Sequence, residues 1–560
     1  MHPITLALAA LILIGFPILS YLNARKQKAL HQITRIPGPT QFPLIGRVHD
    51  LPIQYMWNKF KEWSDEYGPI YMTSMLGAKF LIISDEKIAE ELLVKRAKIY
   101  SDRPVMKSLF DSKSTHGSME YLPLMGKNRM SIQTTTINDT LTQTVEYWSR
   151  QRKYTHANIT EASNNRWYGI MDFEVKRWMA RLATDPDGFN FSLEDMAAKV
   201  MTTLTWDDPN LSVSCTKSAW GLLTQMSPGG PITNVITPLW DWLPGPINPW
   251  KIAEHKRHDE QQAYWMDNLK SVQRKMDLGL ARDSFCRRFL ETEKQQGLSG
   301  DYEASSVIGM LALVGIFTIG GPLNYFLVAM VFHPEWQRKL QAEVDRVCGN
   351  RMPTLTDAPN LPILRACIKE TMRWKPNVPT GVAHELEADD IYRGYFIEKG
   401  TRILPLDLAM LRNPVKYPDP ENFRPERWLE PGWPTYQEPL TQYPSIKGMS
   451  SFGWGQRACL GQTLTQDEMM MACGALAWSF DMSHKIGVDG KQIPINYMKS
   501  NSLLIVKPDP FEMAFTPRSP ARKAEILQLW ANAEAKDLAE REEFETKAKL
   551  SVHAAQLAKA

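Results

Sequence analysis

Cysteine is scarce in this 560-residue sequence: six residues, at 215, 286, 348, 367, 459 and 473, with no paired CxxC spacing. That excludes a disulfide framework and a zinc module, and it suits a reducing compartment. Charge of one sign is lacking too. The 65 Lys and Arg against 62 Asp and Glu leave +3, so there is no electrostatic case for nucleic acid or for a strongly acidic partner. No internal repeat divides the chain, whose 43% hydrophobic content can fill one large core or two ordinary ones. Triplets for N-glycosylation start at Asn138, Asn158, Asn190 and Asn210, but they matter only in a secreted domain.

Long uncharged runs are present in two places. Pro3 to Asn23 carries no charged residue and matches the roughly 20 residues a bilayer span needs. Arg25, Lys26 and Lys28 follow it, so the positive-inside rule places the rest of the chain in the cytosol. The start Met-His-Pro lacks the basic opening of a cleaved signal peptide. This reading gives an anchor over 1–24, a basic and Pro-rich linker over 25–46 and a catalytic domain over 47–517. A charged, solvated helical tail over 518–560 completes it. Pro37, Pro39 and Pro43 make the linker's end a stiff connector. The second run, Ser305 to Phe332, has 28 residues without a charge. Its Gly320-Gly321-Pro322 break and its lack of basic flanks indicate a helix buried through a soluble domain, opened at the proline. The Pro- and Trp-rich stretch Ser227 to Trp250 suits shallow membrane insertion through Trp240, Trp242 and Trp250.

The motif that carries chemistry is SFGWGQRACLGQ, Ser451 to Gln462. Gly453, Gly455 and Gly461 suggest a loop wrapped closely against something flat. The helical pattern after Cys459 places the thiol near a helix N-terminus, which favours a thiolate. Upstream, Glu370 and Arg373 lie three apart on one face of an amphipathic helix, and FRPERWL offers Arg427 in a Pro-bounded turn. Trp148 and Arg152 lie four apart on another helix.

Together these residues resemble the cytochromes P450, the haem-thiolate monooxygenases, along nearly the whole chain and in the right order. Phe452, Gly455, Arg457, Cys459 and Gly461 match that family's cysteine loop, Glu370 and Arg373 its Glu-x-x-Arg, and PERW its Pro-Glu-Arg segment. The resemblance implies a mainly α fold with a small β subdomain behind an N-terminal transmembrane helix. It implies haem b with Cys459 as the axial thiolate, backed by Phe452, Gly453 and Gly461. It makes Glu370, Arg373 and Arg427 a structural ion-pair triad that holds the cysteine loop. Trp148, Arg152, Arg457, His384 and Arg103 are the expected partners of the haem propionates.

One position departs from the pattern. Where the family carries Ala/Gly-Gly-x-Asp/Glu-Thr on its central helix, this chain has Val314-Gly315-Ile316-Phe317-Thr318. Phe317 replaces the acid, leaving Thr318 as the expected proton-relay residue. Pro322 has no amide to give the Thr318 carbonyl, so a water between that carbonyl and the threonine hydroxyl is expected to stand in for the acid. The expected substrate pocket is walled by Ile316, Phe317, Val378, Thr380, Val382 and Met498, with the loop from Met106 to Met125. The resemblance implies oxidation of a lipophilic small molecule, in style a fungal secondary metabolite such as a polyketide or terpenoid. Dioxygen and electrons from NADPH–cytochrome P450 reductase would drive it, on the cytosolic face of the endoplasmic reticulum membrane. A basic proximal face around Arg150 and Lys153 would meet the reductase. The missing acid keeps two alternatives open: a haem-thiolate isomerase, dehydratase or peroxide-using enzyme, and a catalytically silent haem-binding protein.

Overall fold

The computed structural model describes residues 35–43, 45–104, 147–165, 167–227, 247, 249–298 and 300–557. The expected anchor, the loop from Met106 to Met125, and Trp240 and Trp242 lie outside the described residues.

The fold is mainly helical, with three small sheets among the described residues. Its first elements are α1 (Met56–Tyr67), β1 (Ile70–Met75) and β2 (Ala78–Ile83). Helices α2 (Tyr147–Asn165), α3 (Trp167–Thr184), α4 (Phe189–Trp206), α5 (Ser212–Met226), α6 (Pro249–Asp277) and α7 (Phe285–Gln296) lead into the long α8 (Asp301–Phe332). Then come α9 (Pro334–Cys348), α10 (Pro362–Trp374), β3 (His384–Glu385), β4 (Asp390–Tyr392), β5 (Tyr395–Ile397), β6 (Arg402–Pro405) and α11 (Asp407–Leu411). The chain closes with α12 (Gln462–Ser479), β7 (Phe480–His484), β8 (Met513–Pro517) and α13 (Pro520–Leu557).

Helix α8 is apolar on every face, as a helix through the middle of a domain must be. It packs against α4, α5, α6, α9, α10 and α12. It is long and apolar enough to cross a membrane, yet 83% of its most apolar window is buried inside the protein. Small residues on α8 let neighbours close in. A side chain at Gly309 would run into the ring of Trp265, and one at Gly315 into Met201.

The largest sheet has the order β1-β2-β6-β3, with β2 and β6 parallel and the outer pairs antiparallel. Its apolar side chains form two small cores beside the helical one. The sheet presents His384 opposite Ile403.

Three expectations are corrected here. The Pro-rich stretch that begins at Ile36 is not only a stiff connector between anchor and globule, because its two ends pair with β1: the Met72 amide donates to the Pro37 carbonyl at 2.8 Å and the Arg47 amide to the Ser74 carbonyl at 2.8 Å. Helix α8 runs through Pro322 without a break. The C-terminal helix is not merely solvated. Ile526 of α13 is 2% exposed, and the Trp530 ring stands 5.1 Å from that of Phe173 on α3. The Arg177 guanidinium lies 5.2 Å from the same Trp530 ring, and Arg522 sits 3.9 Å from the ring of Trp478 on α12.

Candidate active site

Cys459 sits three residues before α12. It is the one exposed cysteine of the six; the other five are buried. The loop is wound by two short 3-10 turns, Ser450–Phe452 and Gly455–Arg457. The Cys459 amide closes it by donating to the Phe452 carbonyl at 2.7 Å. The sulfur accepts the Gly461 amide at 3.3 Å. Protein packed on its inner sides raises the thiol's pKa, and the Gly461 amide and the Arg152 charge oppose that rise.

Glycine is required at two loop positions, for different reasons. Gly453 has a φ of +76°, which only glycine adopts without strain. Gly455 combines a φ of +54° with a neighbour, the Leu93 carbonyl, that would occupy the place of any Cβ. The expected close approach of Gly455 is therefore to Leu93, in the π-helical turn Glu90–Lys95. Nothing in the local sequence signals that partner.

Around the thiol gather three guanidinium groups. Arg152 on α2 donates to the Ala458 carbonyl. Arg457 donates to the Ser101 carbonyl at 2.7 Å, and its guanidinium lies 4.2 Å from the Trp148 ring. Arg103 donates to the carbonyls of Val382 at 2.8 Å and Ala383 at 2.6 Å. Burial, then Arg457, then Arg152 push the pKa of Arg103 down to about 9, with Asp102 opposing. Three clustered cations, with Arg457 and Arg152 depressing Arg103, suit two carboxylates, and haem carries two propionates. A reachable thiol beside them supplies the fifth ligand such a group needs. The residues present fit a haem.

His384 lies in the same field, 2% exposed, with Nδ1 2.8 Å from the Tyr100 carbonyl. A carbonyl only accepts, so Nδ1 carries the proton. Burial, then Arg103, hold its pKa well below the usual histidine value. In the neutral ring Nε2 is then an acceptor, so His384 donates to a carboxylate only as an imidazolium.

The pair on α10 is buried. Glu370 and Arg373 form two parallel bonds, 2.8 and 2.7 Å, and Arg427 donates to Glu370 at 3.1 Å. All three side chains are fully buried. Two donors that the sequence pattern missed complete the carboxylate: the Trp428 indole at 3.0 Å and the Arg424 amide at 2.9 Å. Arg373 also donates to the carbonyls of Leu411, Pro420 and Asn422, which fixes the irregular segment leading to the cysteine loop. That segment is pinned again by Asp407 of α11. Its carboxylate accepts from Ser450 and, at 2.6 Å, from Ser451.

Of the expected pocket residues, Ile316, Phe317 and Thr380 are buried, and Val378 and Val382 are half-buried. Met498 stands apart from them. It is 68% exposed and lines an outer cavity of about 290 Å³ with Tyr55, Trp374, Lys375 and Tyr497. Thr318 donates its hydroxyl to the Val314 carbonyl at 2.6 Å, within its own helix. Its carbonyl does not await a water, because the Asn377 side chain donates to it at 2.8 Å. The expected basic face is also narrower than supposed: Arg150 is paired with the buried Glu303 at 2.8 Å, while Lys153 is exposed.

The family model for cytochrome P450 matches residues 36–515. The chain is 32% identical over 482 residues to cytochrome P450 monooxygenase psoD of Aspergillus fumigatus, covering 84% of this chain and 87% of that one. It is 30% identical to cytochrome P450 monooxygenase claR of Ampulloclitocybe clavipes, covering 88% of each. It is 29% identical to cytochrome P450 monooxygenase 58 of Postia placenta, covering 89% of this chain and 92% of that one. With a haem-shaped set of donors around one thiol and a match that runs almost from end to end, the chain belongs to the cytochrome P450 family, the haem monooxygenases whose iron is held by a cysteine thiolate.

Proposed function

We propose that this monooxygenase oxidises a lipophilic small molecule of secondary metabolism. It would take electrons from NADPH through NADPH–cytochrome P450 reductase while anchored in the endoplasmic reticulum membrane by residues 1–24. The observation that carries the reading is the cluster of Arg103, Arg152 and Arg457 beside the exposed thiol of Cys459. The relatives, each named a cytochrome P450 monooxygenase, support the reaction class.

In this reading Cys459 would hold the iron of a bound haem, and the thiolate's electron donation would supply what haem-thiolate chemistry needs. The three arginines would hold the propionates, and Trp148 packs against Arg457. Glu370, Arg373 and Arg427 keep the loop in register. Ile316 and Phe317 exclude water from the face of α8 that meets substrate, and Thr318 holds and passes protons at Oγ1. Apolar walls select for size and lipophilicity rather than for one named molecule.

The test is co-expression with a reductase in a host supplying candidate precursors. A new oxygenated product that depends on both NADPH and reductase is the expected result. Product formed without either, or with peroxide alone, supports the alternatives that the missing acid suggests. Removing residues 1–24 should release much of the protein from membranes, with residual binding through Trp240, Trp242 and Trp250.

A further inference from the structure

Helix α8 contains a defect that its own backbone cannot repair. In an α-helix the amide of residue 322 bonds the carbonyl of residue 318, but Pro322 has no amide hydrogen. A carbonyl left without a donor in a core is costly. Here the donor arrives from outside the helix. Asn377, three residues beyond α10, gives its Nδ2 to the Thr318 carbonyl at 2.8 Å. Because a carbonyl cannot donate, the orientation of the amide is settled: Nδ2 faces Thr318 and Oδ1 faces away.

The surroundings are built for this contact. Asn377 is 8% exposed, and its own carbonyl accepts the Val506 amide at 2.8 Å. Any side chain at position 321 would strike the Asn377 Oδ1 and the Val506 carbonyl, so Gly321 is what lets the asparagine reach the helix. One turn on, Asn324 donates its side-chain amide to the Gly320 carbonyl at 2.8 Å. Thr318 is thus held at both ends, by Val314 through its hydroxyl and by Asn377 through its carbonyl.

We propose that Asn377 is a positioning residue for oxygen activation: it replaces the amide that Pro322 lacks and so sets the place of the Thr318 hydroxyl. It touches no reacting atom and acts through Thr318. The inference rests on the reading of Thr318 as the proton-relay residue. Without Asn377 the 318–319 peptide turns toward another donor and carries the threonine with it. Protons then arrive out of place, and electrons leave by the unproductive route. In that route NADPH, a proton and O2 give NADP+ and hydrogen peroxide. In the productive route substrate RH, O2, NADPH and a proton give ROH, water and NADP+.

The experiment uses purified holoprotein with reductase, in a double-mutant cycle of Asn377→Ala and Pro322→Ala. Product per NADPH and peroxide are measured together with backbone hydrogen exchange over residues 318–326. In the parent background Asn377→Ala should lower product per NADPH roughly fivefold to tenfold, the scale of one buried hydrogen bond. It should also speed exchange in that turn. In the Pro322→Ala background, where a backbone amide again reaches Thr318, Asn377→Ala should change neither by more than about twofold. Asn377→Asp should be poorly coupled at neutral pH, since a carboxylate repels the carbonyl. It should recover as pH falls and the protonated acid can donate. Unchanged coupling in Asn377→Ala, or equal loss in both backgrounds, overturns the proposal. Thr318→Val separates the two readings. If it is uncoupled while Asn377→Ala is not, only the positioning role fails; if it stays coupled, the relay reading fails and takes the proposal with it.

Discussion

The C-terminal helix α13 lies beyond the family match, which ends at residue 515, and its docking can be tested by weakening two contacts. Ile526 is 2% exposed, and cutting a core isoleucine to alanine costs about 2–4 kcal/mol. Trp530→Ala would remove the ring contact with Phe173, about 0.5–1.5 kcal/mol beyond its area, and the Arg177 contact, about 0.5–1 kcal/mol. The two changes together should remove roughly 5 kcal/mol if the helix melts with the domain. Unfolding entropy near 2.1 cal/mol/K per residue gives a domain of this size roughly 1 kcal/mol/K. The double variant should therefore melt about 5 °C below the parent in differential scanning fluorimetry of the holoprotein. Leu538→Ala, at a position 55% exposed, is the control and should leave the midpoint in place. A double variant that melts within about 1 °C of the parent would mean that α13 unfolds independently, as a solvated tail would.

Glu468 of α12 is 5% exposed and its Oε1 has no partner among the described residues; burial alone pushes its pKa up to about 8. The folded state then holds the proton more tightly than the unfolded one. Its stabilising effect is complete below the ordinary carboxylate pKa near 4.3 and is lost as pH rises through about 8. Glu468→Gln should gain stability over the parent as pH rises across that window, and a difference that does not vary with pH refutes the assignment. On α2, Arg150→Glu should lower the melting midpoint by several degrees, because it sets a second carboxylate against the buried Glu303. Lys153→Glu should spare stability and slow only reductase-supported turnover, leaving peroxide-supported turnover unchanged. If both variants lose the two activities equally, α2 is holding haem rather than meeting the reductase.

Features carried by local spacing were legible in the sequence. The uncharged run of α8, the cysteine loop and the Glu370–Arg373 pair are each written in one continuous stretch of chain. Partners that arrive from afar were not. Trp428 reaches Glu370 across 58 positions, and Asn377 reaches Thr318 across 59. The absence of the amide at Pro322 was readable, but the group that replaces it was not. Ile526, Leu529 and Trp530 do stand at i, i+3 and i+4, the spacing of a docked face, but the patch is one turn long in a helix otherwise rich in Ala, Glu and Lys, and in sequence it reads as part of a solvated tail. Arg150 looked solvated because its partner, Glu303, belongs to another helix.

Five thiols sealed in the core and one open beside the arginine cluster give the chain a built-in gauge of cofactor loading. A maleimide of modest size would label the emptied protein once, at Cys459, and the loaded protein not at all. Intact mass would then read haem occupancy molecule by molecule in a mixed preparation, with no need for a substrate.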